Sequence, residues 1–256
     1  MIKIDRDIFP PDDKYKIGRY RGRQKWRVKE SQIITAYKAD NSAFLQGNYT
    51  FPQNPSYDLW KNELIKCQGK KCCYCEKPIN KGAIEHYRPK NAWKQSGGSQ
   101  LNRPGYYWLA YRWSNLLLSC NECNSSGNKG NLFPVSGVRA STLKCDLKLE
   151  IESLINPYDE DPANYISFYK WNIISLHPKG RSTIDILSLD TRSDLASIRE
   201  DRFQLYKNAL MISKLPLDNG VIENNIIEEN KKKIKKIKRD KHFSGMLQSN
   251  ISQGLI

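Results

Sequence analysis

The stretch that decides the fold covers residues 72–124. It contains C-C-Y-C at 72–75, I-E-H-Y-R-P-K at 84–90 and W-S-N-L-L-L-S-C-N-E-C-N at 113–124. Two C-x-x-C pairs therefore enclose an adjacent acid and histidine. A C-x-x-C turn brings two thiolates to one ion at about 2.3 Å, and two such turns complete a closed tetrahedral zinc site. The spacing predicts four zinc ligands: Cys72, Cys75, Cys120 and Cys123.

The sequence contains more C-x-x-C pairs than a random placement of its cysteines would give. Seven cysteines scattered over this chain would give roughly 0.2 C-x-x-C pairs, and the sequence has two separate ones. A redox C-x-x-C belongs in a thioredoxin-like βαβ context, which the flanking sequence does not contain. The other three cysteines have no partner at ligand spacing and are expected to be ordinary reduced thiols: Cys67, Cys73 and Cys145.

The catalytic candidates lie between and just after the two cysteine pairs. His86, one of only three histidines, directly follows Glu85. Glu85 and Asn124 offer hard oxygen ligands to Mg²⁺. Three nearby cations could contact a phosphate: Arg88, Lys90 and Lys129. This set fits metal-assisted phosphodiester hydrolysis better than it fits a purely structural zinc finger.

Residues 72–134 resemble an HNH endonuclease of the ββα-metal type with a four-cysteine zinc site. In that family the acid-histidine pair lies on a β-hairpin, and the last motif residue opens the following helix. The resemblance implies that His86 is the general base, that Glu85 and Asn124 hold Mg²⁺ or another divalent ion, and that Asn115 braces the hairpin loop. The chain has Glu85 and Asn124 where the family more often has aspartate and histidine.

Further sequence motifs extend the resemblance. They are C-x-Y-C-E, E-H-Y-R-P-K, Y-Y-W-L-A-Y-R-W-S-N-L-L-L-S-C, K-G-N-L-F-P and the L-I-N-P at 154–157. These are similar to the HNH subunit of Septu-type and retron-associated anti-phage systems. The resemblance implies an ABC or SMC-like ATPase as partner, and a retron reverse transcriptase complex as a further partner. Composition and spacing alone indicate no such partner.

The predicted fold class is α+β, with a small zinc-stabilised ββα-metal (HNH) module between two extensions. Residues 1–56 are expected to form a basic N-terminal arm, residues 57–136 the nuclease module, and residues 137–256 a mostly helical region with a basic tail. Helices are predicted at 57–65, 106–113, around 195–215 and from Val221. With no apolar signal core and no run of about 18 apolar residues, the sequence predicts a cytoplasmic protein that does not enter a membrane. That compartment keeps thiolates reduced.

The positive charge is concentrated in two segments. Residues 14–30 and residues 231–241 each carry eight basic residues and one acidic residue, so together they hold +14 of the formal net charge of +15. Such patches favour nucleic acid as a partner, although a solvated charge run or an acidic protein partner would also fit. Every second residue from Arg19 to Lys29 is basic, which predicts a strand or an extended arm. Trp26 within it could stack on a base or pack on the module.

Three functions remain open from the sequence. The first is a metal-dependent endonuclease in a defence complex. The second is a non-catalytic, zinc-stabilised module that binds nucleic acid. The third is a scaffold subunit whose basic tail docks an acidic partner. The presence of both Glu85 and His86 favours the first.

Overall fold

The computed structural model describes residues 1–5, 22–52, 55–216 and 221–256. The helices are α1 Gly22–Ala39, α2 Ser42–Gln46, α3 Pro55–Gln68, α4 Asn121–Asn124, α5 Pro178–Ile186, α6 Ser193–Ser213, α7 Val221–Asp240 and α8 Ser244–Ser252. The strands are β1 Ala83–His86, β2 Leu116–Ser119, β3 Val135–Gly137, β4 Glu150–Glu152, β5 Ile166–Tyr169 and β6 Asn172–Ser175. Within the described residues they pair as three separate two-stranded antiparallel sheets. This mixture of helices and small sheets agrees with the predicted α+β class.

The central hairpin pairs β1 with β2. Its register sets Glu85 opposite Leu117 and His86 opposite Leu116. All four residues of β2 are buried, and α3 packs against both strands. The predicted helix at 57–65 is confirmed as part of α3. Because α4 begins directly after β2 and packs against β1, the acid-histidine pair and Asn124 lie on neighbouring elements.

The aromatic run at residues 106–113 is not the continuous helix that the sequence predicts. The backbone forms two 3-10 turns, Tyr107–Leu109 and Trp113–Asn115. The N–H of Tyr106 donates to the Pro89 carbonyl at 2.8 Å, which fixes the start of the run against the loop after β1. Large aromatic side chains also lose rotamer freedom in a helix, so propensity gives it little support. Every aromatic residue of the run is buried in the core.

The basic segment near the N-terminus is helical where the structure describes it, so the predicted strand or extended arm is wrong there. The helix α1 starts at Gly22, while the basic residues before it and the side chain of Trp26 lie outside the described residues. Alternating charge does not specify a strand, because only alternating burial does. Ile33 is buried and Tyr37 stacks on Tyr107 with ring centroids 4.1 Å apart. Their spacing of four residues is that of a helix face.

The region after residue 137, predicted to be mostly helical, also contains strands. Of the six strands in the described residues, three lie wholly within this region: β4, β5 and β6. The sheet of β5 and β6 is closed by a turn in which Lys170 has a φ of 55°. The predicted helices are confirmed as α6 and α7, and α6 ends before Pro216 as expected. On these two helices Leu205 and Ile226 are exposed. Phe203, Tyr206 and Ile227 take the inward positions instead.

Most of the buried apolar residues that the structure describes form one cluster, which includes the central hairpin, the aromatic run and parts of α6 to α8. The β3–β4 sheet spans residues 135–152 and joins this cluster through Val135. Among the described residues, no helix has both the length and the apolar character that crossing a bilayer requires.

Candidate functional site

The four predicted zinc ligands come together. The sulfur atoms of Cys72, Cys75, Cys120 and Cys123 all lie within 4.8 Å of one another, and all four residues are buried. The Sγ atoms of Cys75 and Cys120 are 3.7 Å apart. Four sulfurs at about 2.3 Å from a central zinc would lie roughly 3.8 Å apart in a tetrahedron. All four are free thiols, so the cluster could hold a structural metal ion.

Local backbone geometry places the thiols. The first pair lies on a tight turn closed by the N–H of Glu76, which donates to the Cys72 carbonyl at 3.1 Å. Glu76 itself has a φ of 61°, in the left-handed region. The second pair brackets the start of α4, where the Cys120 sulfur accepts the N–H of Cys123 at 3.4 Å. A turn and a helix start thus each supply two ligands.

Two arginines that the sequence analysis missed lie beside the cluster. Arg192 donates from Nη1 to the Cys123 sulfur at 3.4 Å. Although burial opposes it, the hydrogen bond to Asp194 raises the pKa of Arg192. Arg199 is buried seven residues further along, in α6, and burial lowers its pKa. No sequence signal links either residue to the cysteines, because Arg192 is 69 positions from Cys123.

Glu85 is buried next to the cluster and is held at one oxygen. Its Oε1 forms a salt bridge with Nζ of Lys129 and accepts a hydrogen bond from the Tyr74 hydroxyl at 3.4 Å. Burial raises the pKa of Glu85, against the lowering effect of Lys129. Lys129 also donates to the His86 carbonyl at 2.9 Å, and its side chain is fully buried. The lysine predicted to contact phosphate therefore lies inside the module, paired with the predicted metal ligand.

His86 ends β1 with its ring directed at the aromatic run. Its Nε2 lies 2.9 Å from the Ala110 carbonyl oxygen. Since a carbonyl only accepts, we assign the proton to Nε2 and the basic lone pair of the neutral ring to Nδ1. Burial lowers the pKa of His86 well below its usual value, and the charge of Lys90 acts in the same direction. The imidazole is therefore neutral at pH 7.

Asn115 connects the segment after His86 to the aromatic run. Its Oδ1 accepts the N–H of Arg88 at 2.8 Å, and its Nδ2 donates to the carbonyls of Arg88 at 3.0 Å and Leu109 at 3.3 Å. The Asn115 carbonyl also accepts the N–H of Tyr87 at 2.9 Å. The side chain thus extends the hairpin pairing beyond β1.

The remaining predicted residues differ in their surroundings. Asn124 is half-buried at the last position of α4, where its N–H donates to the Cys120 carbonyl at 3.1 Å. Arg88 is mostly buried and forms salt bridges with Glu150 and Glu152 on β4. The Lys90 ammonium lies 5.0 Å from the ring centroid of Phe51, and burial lowers the pKa of Lys90 to about 8. The structure thus places Arg88 and Lys129 in protein ion pairs instead of leaving them open to a phosphate.

The C-terminal basic segment forms the last part of α7. Its lysines and arginine occupy the exposed side of the helix, while Ile237 packs inward. This gives a continuous positive surface along the second half of α7. The N-terminal basic residues at 14–21 lie outside the described residues.

Comparison with known proteins gives two curated relatives. The chain is 36% identical over 169 residues to Septu protein PtuB of Bacillus mycoides (strain KBAB4), a match that covers 63% of this chain and 55% of the relative. It is 28% identical over 164 residues to Septu protein PtuB of Bacillus thuringiensis, covering 62% of this chain and 51% of the relative. The chain spans about half the length of the curated relatives it matches. These matches support a relationship to Septu-type defence proteins.

The other two comparisons give no match. No protein-family model matches the chain, and no solved structure matches it.

Proposed function

We propose that this chain is a metal-dependent HNH-type endonuclease that hydrolyses phosphodiester bonds of nucleic acid as the effector of an anti-phage defence complex. The observation that carries the proposal is the acid-histidine pair Glu85 and His86 on a hairpin strand, packed beside a buried four-cysteine cluster and followed by the Asn-containing helix α4. The similarity to Septu proteins supports the defence context. In this proposal residues 57–136 form the nuclease module.

The two proposed metal ions have different ligands. The four cysteines would hold Zn²⁺, whose four thiolates leave no open coordination position, so its role is structural. Glu85 and Asn124 offer one carboxylate and one amide oxygen, a donor set that suits Mg²⁺ with several waters. Lys129 and Tyr74 both engage Oε1 of Glu85, which leaves Oε2 as the oxygen for the ion. A divalent ion held there would neutralise charge on the scissile phosphate and on the departing 3′ oxygen.

His86 acts as the general base in this proposal. Neutral imidazole takes a proton from the attacking water, and the bond between phosphorus and the 3′ oxygen breaks as the new bond to the water oxygen forms. The hydrogen bond from Nε2 to the Ala110 carbonyl would keep the ring in the required tautomer and stabilise the positive charge that it gains. Asn115 would hold the segment after His86 in place through its three hydrogen bonds.

The partners belong to the same proposal. Nucleic acid would be the substrate, and the positive surface of α7 supports a polyanionic partner. An ABC or SMC-like ATPase and a retron reverse transcriptase complex are proposed on the resemblance alone. A cytoplasmic location would keep the four thiols reduced and ready for zinc.

The test compares His86→Ala with His177→Asn. His177 caps α5 by accepting the N–H of Lys179 at 3.1 Å, and asparagine preserves such a cap, so this variant is a matched control. Each protein, alone and with its ATPase, is incubated with labelled single- and double-stranded DNA, RNA and tRNA in Mg²⁺. We expect His86→Ala to lower cleavage by about 100-fold or more, and to retain zinc and helix content. Cleavage by His86→Ala at the parent rate would exclude the HNH mechanism.

One observation favours a second candidate, a non-catalytic module that binds nucleic acid or serves as a scaffold. Glu85 is only 2% exposed and already has Lys129 as a counter-ion, as in a purely structural ion pair. In that case the parent protein would bind nucleic acid or assemble with partners, yet cleave no substrate in the panel at any Mg²⁺ concentration.

A further inference from the structure

The first half of α6 presents two arginines to the four-cysteine cluster. Arg192 caps the helix and Arg199 lies seven residues later, two helical turns along the same face. Arg192 donates to the Cys123 sulfur at 3.4 Å, and its side chain is 12% exposed. Arg199 is 3% exposed and lies within electrostatic reach of Cys75, Glu76 and Cys123.

Arg199 is incompletely satisfied by protein groups. Its Nη1 donates to the Leu189 carbonyl at 2.7 Å. Its Nε is buried without a hydrogen-bond partner among the described residues. A buried guanidinium with an unused donor is costly unless a negative charge lies nearby. The carboxylate of Glu76 supplies one such charge, which it shares with Lys71 and the N-terminal amine, whereas four neutral thiols would supply none.

A four-cysteine cluster that holds a metal ion does supply negative charge. Four thiolates around one divalent ion carry a net charge of −2, and all four cysteines are buried. The two guanidinium groups carry +2, although Asp194 already pairs with Arg192. The charges of the two arginines are thus opposite in sign to the charge of a metal-loaded cluster.

A second set of contacts ties the start of α6 to both cysteine pairs. Asp194 accepts from Arg192 at 3.1 Å and from Lys77 at 3.2 Å. Lys77 also lies 3.4 Å from Glu122. Lys77 follows the first cysteine pair and Glu122 lies inside the second, so α6 is bonded to both sides of the cluster.

We propose that Arg192 and Arg199 are positioning residues that neutralise the loaded four-cysteine cluster and so make the metal ion the anchor of α6. The inference rests on the zinc site of the proposed function and is independent of catalysis. It assigns the metal a role beyond the hairpin, in joining the C-terminal region to the central module. Loss of the ion should then loosen α6 as well as the two cysteine turns.

The test uses the full-length protein and the variants Arg192→Gln, Arg192→Lys and Arg199→Gln. Arg181→Gln is the matched control, because Arg181 pairs with Asp190 at 2.7 Å on an exposed part of α5. Zinc content is measured by mass spectrometry, and zinc release is timed with a chromophoric chelator. We expect one zinc per chain in all proteins and release about 10- to 100-fold faster in both glutamine variants. Arg192→Lys should restore part of the difference, and the control should match the parent.

Two further measurements separate anchoring from ordinary packing. Urea midpoints are compared for loaded and metal-stripped protein, and the glutamine variants should be destabilised only when loaded. Amide hydrogen exchange across α6 should rise when the parent protein loses its metal. Equal destabilisation of both forms, or unchanged zinc release in Arg192→Gln, would overturn the inference. A parent protein that holds no zinc would overturn both this inference and the proposed zinc site, whereas a zinc-loaded protein without nuclease activity would overturn catalysis alone.

Discussion

Replacement of Glu150 tests whether Arg88 is structural or binds phosphate. The Glu150 side chain is fully buried, and its Oε2 accepts from Nε of Arg88 at 2.7 Å. Its Oε1 accepts from the Tyr106 hydroxyl at 2.6 Å and from the N–H of Ala140 at 2.9 Å. Glu150→Gln keeps the shape but removes the charge, and its amide NH₂ must face one of these donors. Breaking one side of such a buried pair costs about 4 kcal/mol.

The assay is urea unfolding followed by tryptophan fluorescence, with thermal melting in parallel. For a chain of this size we expect the melting temperature to fall by roughly 10 °C. Glu228→Gln is the control, since Glu228 is 57% exposed and pairs with Lys231 at 2.8 Å. Exposed pairs contribute about 1 kcal/mol or less. A loss below about 1 kcal/mol in Glu150→Gln would refute the argument that this carboxylate is held by three donors.

Arg88→Met completes the test. If Arg88 is bound to β4 as the structure has it, the variant loses stability and keeps the salt dependence of nucleic-acid binding. If Arg88 contacts a phosphate, the slope of log K against log salt should become about 0.9 less negative on duplex DNA, with little change in stability. A structural role of Arg88 thus predicts lower stability with an unchanged salt slope, whereas a phosphate contact predicts a changed salt slope with little change in stability.

Two other predictions concern the hairpin and α7. Asn115→Ala should lower the free energy of unfolding by about 3 kcal/mol, because the N–H and carbonyl of Arg88 lose their buried partner; a loss under about 1 kcal/mol in urea unfolding would contradict this. Replacing Lys232, Lys235 and Lys236 by glutamine should make the salt slope of duplex binding less negative by about 2 to 3 if these residues contact phosphates. Substitution is preferable to truncation, since α8 contributes Met246 to the core. Loss of ATPase co-purification with an unchanged slope would instead indicate a protein-docking surface.

The parts of the site that the sequence predicts are those encoded by short-range spacing. Each C-x-x-C pair lies on one turn or helix start, so the four-cysteine cluster follows from the sequence once two such pairs are seen. The helix α3 and the end of α6 before Pro216 follow from local periodicity and a helix breaker.

What the sequence could not predict depends on partners far away in the chain. In the sequence, Arg88 follows the acid-histidine pair and Lys129 follows the second C-x-x-C pair. Both residues therefore look like phosphate contacts. Their ion pairs in the structure are with Glu150, 62 positions from Arg88, and with Glu85. The strand predicted from charge alternation at residues 19–29 failed where the structure describes them, in α1, for a related reason, since charge sign has no fixed relation to burial. Only contacts such as that of Tyr37 with Tyr107 select the helix.

The position of Arg192 along the chain sets an order of events during synthesis. All four cysteines leave the ribosome before either arginine, and 69 residues separate Cys123 from Arg192. At about 5 to 20 residues per second this interval lasts roughly 3 to 14 s. With the proposed anchoring, an ion captured in that interval is held by an unfinished chain with no guanidinium beside it. Under this proposal zinc would exchange more readily from the nascent chain than from the finished protein, and completion of α6 would be the step that retains it.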